Sequence, residues 1–261
     1  MRKLILLSFL CLISSFKISA QTKTTDILID QPKMIDQFLM VVPGVGSKSR
    51  EMLNTQSVKE YLMPVRRINT NDSDLAYAIT TCLEFYVNLD KNYKVNLSPD
   101  YISLNILSQG KRMDTGDAMQ ILAQDGTVSA AILPFGAKQL TSGVYATEKF
   151  KIANYLHLFR VQTRNRQKVF ETKKALSRGN PVLIELKANE QFPYIKETKL
   201  VDSYPAGDQS YHVVVVGYDE NLEAFEVRNT QGSKWGVNGY LWIKYDDFGS
   251  AVTNAYVIVP N

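Results

Sequence analysis

With 261 residues, 45% of them hydrophobic and 21% charged, the chain is long enough to build one large domain or two intimate lobes around a buried core. Its formal charge is +4, and Arg2, Lys3 and Lys17 supply three of those charges, so a chain without residues 1–20 carries only +1. Such a balance gives no electrostatic case for nucleic acid or an anionic membrane as partner.

The opening MRKLILLSFLCLISSFKISA has a basic start, an apolar run from Leu4 to Ile13 and Ala20 before Gln21. That is the pattern of a secretory signal peptide over 1–20, cleaved near Ala20-Gln21. The run is too short to span a bilayer, so no membrane insertion is expected after cleavage. Leu10 before Cys11 is not the small residue that a lipidation site needs. Only Cys82 then remains, which rules out an intrachain disulfide. The short leader and missing disulfides favour a bacterial periplasmic or secreted protein.

Residues 21–60 form a polar start, a short apolar piece and a Pro-Gly turn, an N-terminal arm before the main domain at 61–261. From Asp72 to about Asn88 the spacing predicts a helix with Asp72, Ser73 and Asp74 as N-cap candidates. Leu75, Ile79, Cys82 and Tyr86 form its buried stripe. A second helix starts at Ser98-Pro99, and a third spans about Gly116 to Gln124, stopped at Gly126. Helical periodicity returns at about 167–177, and Pro181–Leu186 reads as a buried strand after a Gly-Asn turn. The region from His212 onward is β-rich. The chain shows neither internal repeats nor a low-complexity tract.

Tyr211 to Phe248 reads YHVVVVGYDENLEAFEVRNTQGSKWGVNGYLWIKYDDF. A His opens an apolar strand ending in Gly217-Tyr218, a second strand delivers Asn229, and Trp235-Gly236-Val237-Asn238-Gly239-Tyr240 makes a Gly/Trp-rich turn. This arrangement resembles the C-terminal half of a papain-type cysteine peptidase. LSPDYISLNILSQG, GDAMQILAQDGTVSAAILPF and KKALSRGNPVLIEL resemble successive upstream pieces of the same family. The resemblance covers about residues 60–258 and is nearest to exported bacterial members. It implies an α+β, papain-like two-lobe fold: a helical lobe at about 61–135 and an antiparallel, β-barrel-like lobe at about 136–261. In that setting the arm at 21–60 is either an inhibitory pro-segment or a crossing to the second lobe, and it is short for the former.

In the family a thiolate at the first turn of the long helix attacks the substrate carbonyl, helped by helix dipole and imidazole. A Gln donates to the oxyanion and an Asn orients the His. Here Pro64-Val65-Arg66 resembles the pair upstream of that Gln, and a gap-free count places the nucleophile at 74 and the Gln at 68. Counting back from Leu97-Ser98 by the family's separation also gives 74. The resemblance therefore puts Asp74 at the nucleophile position and Ile68 at the oxyanion position, with Glu84 as the helix Glu. Thr230-Gln231 stands where the family has a Trp, while His212 and Asn229 keep their places. Three of five functional positions have changed, which implies a pseudopeptidase that binds a peptide or protein in the old cleft.

Two alternatives keep the enzyme active, as a peptidase or acyl transferase with His212 and Asn229. One uses Ser73, one residue from the counted position, as nucleophile. The other uses Cys82, which lies two turns into the helix on the buried stripe. A further alternative is a structural subunit of an envelope complex. Trp235 and Trp242 are expected to pack the β half, Trp235 near the cleft. Asp74 is also suited to a helix N-terminus and to a protonated His212 as partner. No His/Cys/Asp/Glu cluster has metal spacing, so no metal or other cofactor is expected.

Overall fold

The computed structural model describes residues 28–29, 31–45, 54–68 and 73–261. The leader at 1–20 and Asp72 lie outside the described residues. In chain order the elements are β1 (Leu28–Ile29), α1 (Pro32–Phe38), β2 (Thr55–Ser57), α2 (Asp74–Lys91), α3 (Pro99–Ser108) and α4 (Thr115–Gln124). There follow β3 (Ile152–Phe159), α5 (Asn165–Ser177), β4 (Val182–Ala188), β5 (Gln209–Asp219), β6 (Ala224–Arg228), β7 (Tyr240–Lys244), α6 (Tyr245–Ala251) and β8 (Val252–Pro260). This is the α+β two-lobe arrangement that the sequence implies.

The helix boundaries follow from local chemistry. Ser98 Oγ accepts from Tyr101 N at 3.3 Å and Pro99 fills the first turn of α3. Asp114 caps α4 through Asp117 N at 2.9 Å. α2 ends at Asn92, whose φ of 51° is the left-handed conformation that Asn tolerates. The stripe of Leu75, Ile79, Cys82 and Tyr86 is buried along α2.

Eight strands form one sheet in the order β1-β3-β8-β4-β5-β6-β7, with β2 added on β5. Only β1 against β3 is parallel. The apolar run Val213–Val216 has a simple cause. Val213 and Val215 enter a core with Ile184, Phe225, Leu241 and Phe248, while Val214 and Val216 enter another with Leu75, Ile79 and Leu83. Both faces of β5 are buried, so its sequence is continuous rather than alternating. Gly217 ends the run because a Cβ there would meet Gln56 O of β2 at 2.6 Å.

The arm crosses from one core to the other. Ile35 and Leu39 pack in the β-lobe core, Val42 and Val45 in the helical one. The turn after α5 anchors it: Arg178 Nη1 donates to Leu39 O at 2.9 Å, and Val42 N donates to Arg178 O at 2.8 Å. Asn180, fully buried, donates through Nδ2 to Met40 O at 2.8 Å and accepts from Tyr86 OH of α2 at 2.8 Å. One amide thus joins arm, α2 and α5. Asn180→Ala strands the buried Tyr86 hydroxyl and takes a donor from the Met40 carbonyl, and is expected to cost about 1–3 kcal/mol. Urea unfolding should show a lower midpoint with an unchanged slope.

Candidate functional site

The N-terminus of α2 meets the start of β5. Asp74 is the first residue of α2, a place where free N–H groups and the helix dipole favour a carboxylate. Its Oδ1 accepts from Leu75 N at 2.7 Å and lies 3.1 Å from His212 Nδ1. Its Oδ2 accepts from the backbone N of His212 at 2.8 Å. An ionised carboxylate only accepts, so Nδ1 carries the proton in this contact and Nε2 is the ring's other nitrogen. Asp74 therefore holds both the main chain and the ring of His212. The two side chains are 24% and 17% exposed, so the contact is largely shielded.

The other counted positions lie close in the fold. Ile68 is half-buried, its backbone N donates to Thr230 O at 2.8 Å, and Arg67 bridges Gln231. This lays the entry to α2 along the end of β6. Asn229 follows Arg228, which pairs with Val214, two residues beyond His212. It is buried, and its Oδ1 accepts from Thr230 N at 2.6 Å; among the described residues it makes no hydrogen bond to His212. Gly239, with φ of +85°, lets the turn pass Val65, whose Cγ1 would lie 2.6 Å from a Cβ. Trp235 is buried in the β-lobe core and donates through Nε1 to Phe192 O at 2.7 Å. Trp242 pairs through its backbone with Lys199 and Val201 and is half-buried.

Ser73 is the N-cap residue of α2, and its hydroxyl makes no capping bond. Cys82 is 1% exposed, two turns from Asp74. Burial pushes its thiol up to about 12, a shift that the charge of Arg228 only partly opposes. Such a thiol is inert in the native protein. In the chain without residues 1–20, Ellman's reagent at about pH 8 should leave Cys82 unmodified when folded and titrate one thiol per chain in denaturant.

Sequence reasoning missed a second carboxylate beside His212. Glu185 of β4 pairs directly with His212 of β5, and on its other side with Asn254 of β8. Cross-strand partners share a face, so the three side chains form one row. Glu185 Oε1 accepts from Ser210 Oγ at 2.8 Å and Oε2 from Asn254 Nδ2 at 2.9 Å. Burial opposes its ionisation, but these bonds and the nearby His212 outweigh burial and hold the carboxyl below its usual range. The signal in the sequence was a lone Glu inside the apolar run Pro181–Leu186. Because its folded-state value lies below the unfolded one, Glu185 adds stability above about pH 4.5, lost as pH falls through the folded value. Glu185→Gln is therefore expected to flatten the acid limb of a stability profile measured from about pH 6 to pH 3.

Among the described residues no group of three His, Cys, Asp or Glu side chains is placed to hold a metal ion, and no helix is long and apolar enough to cross a membrane.

Residues 54–260 match the family model described as "Papain family cysteine protease". An uncharacterised peptidase C1-like protein of Acanthamoeba polyphaga mimivirus is 31% identical over 111 residues, covering 39% of this chain and 36% of that protein. Among solved structures, xylellain, a cysteine protease from Xylella fastidiosa, superposes with a TM-score of 0.62 at 17% identity, over 82% of this chain and 90% of its own. A Carica candamarcensis cysteine protease in complex with E-64 gives 0.63 at 19% identity, over 80% of this chain and 99% of its own.

Proposed function

Because the chain belongs to the papain family of cysteine proteases, we propose that it is an exported member without peptidase activity. In this reading it holds a peptide or protein segment at the junction of α2 and β5 without cleaving it. The observation that carries the reading is the Asp74 carboxylate lying 3.1 Å from His212 Nδ1, where a thiol would have to lie to be activated by that nitrogen. A carboxylate attacking an amide would give an anhydride with a poor amine leaving group, and His212 has already given its Nδ1 proton contact to Asp74.

Other features agree. Ile68 has no side-chain donor for an oxyanion, and its backbone N–H is committed to Thr230 O. The Asn229 carbonyl is turned to Thr230 N rather than to the ring. Cys82 is sealed in the helical core. Ser73 would need the imidazole nitrogen that Asp74 occupies. The leader-like segment at 1–20 supports export.

The test is hydrolysis of a broad fluorogenic peptide library by the protein beside His212→Ala prepared identically. Equal background in both is the expected result. Turnover that disappears in His212→Ala would overturn the reading, and Ser73→Ala and Cys82→Ala would then identify the nucleophile.

A further inference from the structure

The β lobe carries a second hollow, well away from the junction of α2 and β5. Between the start of α5, the turn from β5 to β6 and the join of β7 with α6 lies a cavity of about 770 Å³. Small-molecule sites run from about 300 to 1,000 Å³, so the size is ample for a ligand. His212 lies toward the other end of β5, seven residues from Asp219, or about 23 Å at the rise of a strand. The walls are fixed by hydrogen bonds. Tyr245 N donates to Glu223 O at 2.7 Å, and Asp219 Oδ1 accepts from Asn221 N at 2.8 Å within the turn. On the helix side Asn165 Nδ2 donates to Ser250 Oγ at 3.1 Å. Gly249 lets α6 approach so closely that a Cβ there would lie 2.7 Å from Asn165 Cβ.

The lining of this cavity is charged in both signs. Arg166 and Lys244 supply cations; Glu223, Asp246 and Asp247 supply carboxylates. Among the described residues none of these five side chains makes a hydrogen bond or an ion pair, although all face one cavity. Lys244 pairs across the sheet with Ala224, the residue after Glu223, and still the two charges stay apart. Glu223 has a φ of 47°, a left-handed conformation where Gly or Asn is usual. The turn therefore holds a carboxylate at a place where a smaller residue would cost less strain. Asp247 is half-buried, so solvent screens it less than it does an open surface carboxylate. Val169 and Leu222 give the cavity an apolar side.

We propose that this cavity binds a small zwitterion, an amino acid or short peptide with both ends free. Its carboxylate goes to Arg166 and Lys244, its ammonium to Glu223, Asp246 and Asp247, and an apolar side chain to Val169 and Leu222. Charge-assisted hydrogen bonds are stronger than neutral ones, and a ligand lacking either charge leaves one set of partners unmet. The site is independent of the reading at the α2–β5 junction, and either can fail alone.

The experiment titrates four probes into the protein and follows the backbone amide resonances of Leu222, Tyr245 and His212. The probes are glycyl-leucine, its N-acetyl form, its C-terminal amide and free leucine. Glycyl-leucine should shift the Leu222 and Tyr245 amides, leave that of His212 in place, and bind about tenfold tighter than either blocked form. Arg166→Gln with Lys244→Gln should erase its advantage over the amide, and Glu223→Gln with Asp246→Asn its advantage over the N-acetyl form. All four of these side chains are exposed, so the fold tolerates the changes. Whichever of leucine and glycyl-leucine binds more tightly names the source of the zwitterion, and either order upholds the site. A blocked form that binds as tightly as its parent, or an advantage that survives both pairs of substitutions, would overturn the proposal. So would a shift confined to His212, or no shift at all.

Discussion

Asp74→Cys is expected to turn an unreactive protein into one with a single fast-reacting thiol. Position 74 opens α2, and its side chain lies against His212 Nδ1. A helix N-terminus and an adjacent imidazolium are the two influences that lower a thiol's pKa. At about pH 6 an ordinary thiol is under 1% ionised, so a depressed one should be alkylated on the order of 10²-fold faster. The measurement is iodoacetamide labelling of the chain without residues 1–20 in a Cys82→Ala background, which leaves position 74 as its one thiol. Adding His212→Ala should return the rate toward that of a free thiol. An unexceptional rate for Asp74→Cys alone would show that the two counts converging on 74 had the wrong register. Restored labelling need not restore peptide cleavage, because Ile68 supplies no side chain to an oxyanion; Ile68→Gln beside Asp74→Cys is expected to add 10²–10³-fold to any turnover, the usual weight of one such donor. The exchange has a cost in the fold. Removing a carboxylate that binds both N–H groups of His212 should lower stability by about 1–3 kcal/mol.

Glu84→Ala is expected to be the most destabilising single change in the helical lobe. Glu84 is 1% exposed, pairs with Arg66 Nη2, and accepts from Leu97 N at 2.8 Å. Arg66 also donates to Asn96 Oδ1 at 2.6 Å and lies over the Phe135 ring at 4.5 Å. Arg228, 3% exposed, donates to Pro64 O at 3.0 Å and adds its charge to the same region. Burial raises the pKa of Glu84 in spite of both guanidinium groups, which shows how much water the carboxylate has given up. Alanine would leave the half-buried Arg66 and the buried Arg228 without a nearby anion and Leu97 N without its acceptor, a change that costs about 3–5 kcal/mol. Guanidinium unfolding monitored by far-UV circular dichroism would measure it. Arg66→Met with Glu84→Leu should lose much less than the sum of the single changes, since nothing charged is then stranded. A loss below about 1 kcal/mol for Glu84→Ala would mean that this network does not hold the approach to α2 in place.

Much of this was legible in the sequence because local rules and the family pattern agreed. Ser98-Pro99 starts α3, and the stripe of Leu75, Ile79, Cys82 and Tyr86 is the buried side of α2. The helix expected at about 167–177 is α5 at 165–177, two residues longer at its start. What escaped was set by pairing at long range. β3 carries an apolar-polar mixture in which the buried His157 stacks on Tyr256 and meets Asn254, both of β8. Glu185 reads as a blemish in a core strand until the register sets it opposite His212. The Asn229 side chain shows the same limit. Its position could be counted, but that its carbonyl would turn to Thr230 depends on how the ends of β5 and β6 meet.

The crossing arm has a consequence for the order in which this molecule can be finished. Met40 and Leu39 are fastened to Asn180 and Arg178, 140 and 139 residues further along. Gln56 and Ser57 wait for Tyr218 and Gly217 in the same way. A chain emerging from the ribosome, or threading through a translocon, displays these early segments long before their partners exist. Closure of such distant loops is slow, and the interval leaves apolar surface uncovered. The seam between the lobes is therefore sewn last with thread that was laid down first, and a chaperone meeting this chain would find Ile35, Leu39 and Val42 still waiting.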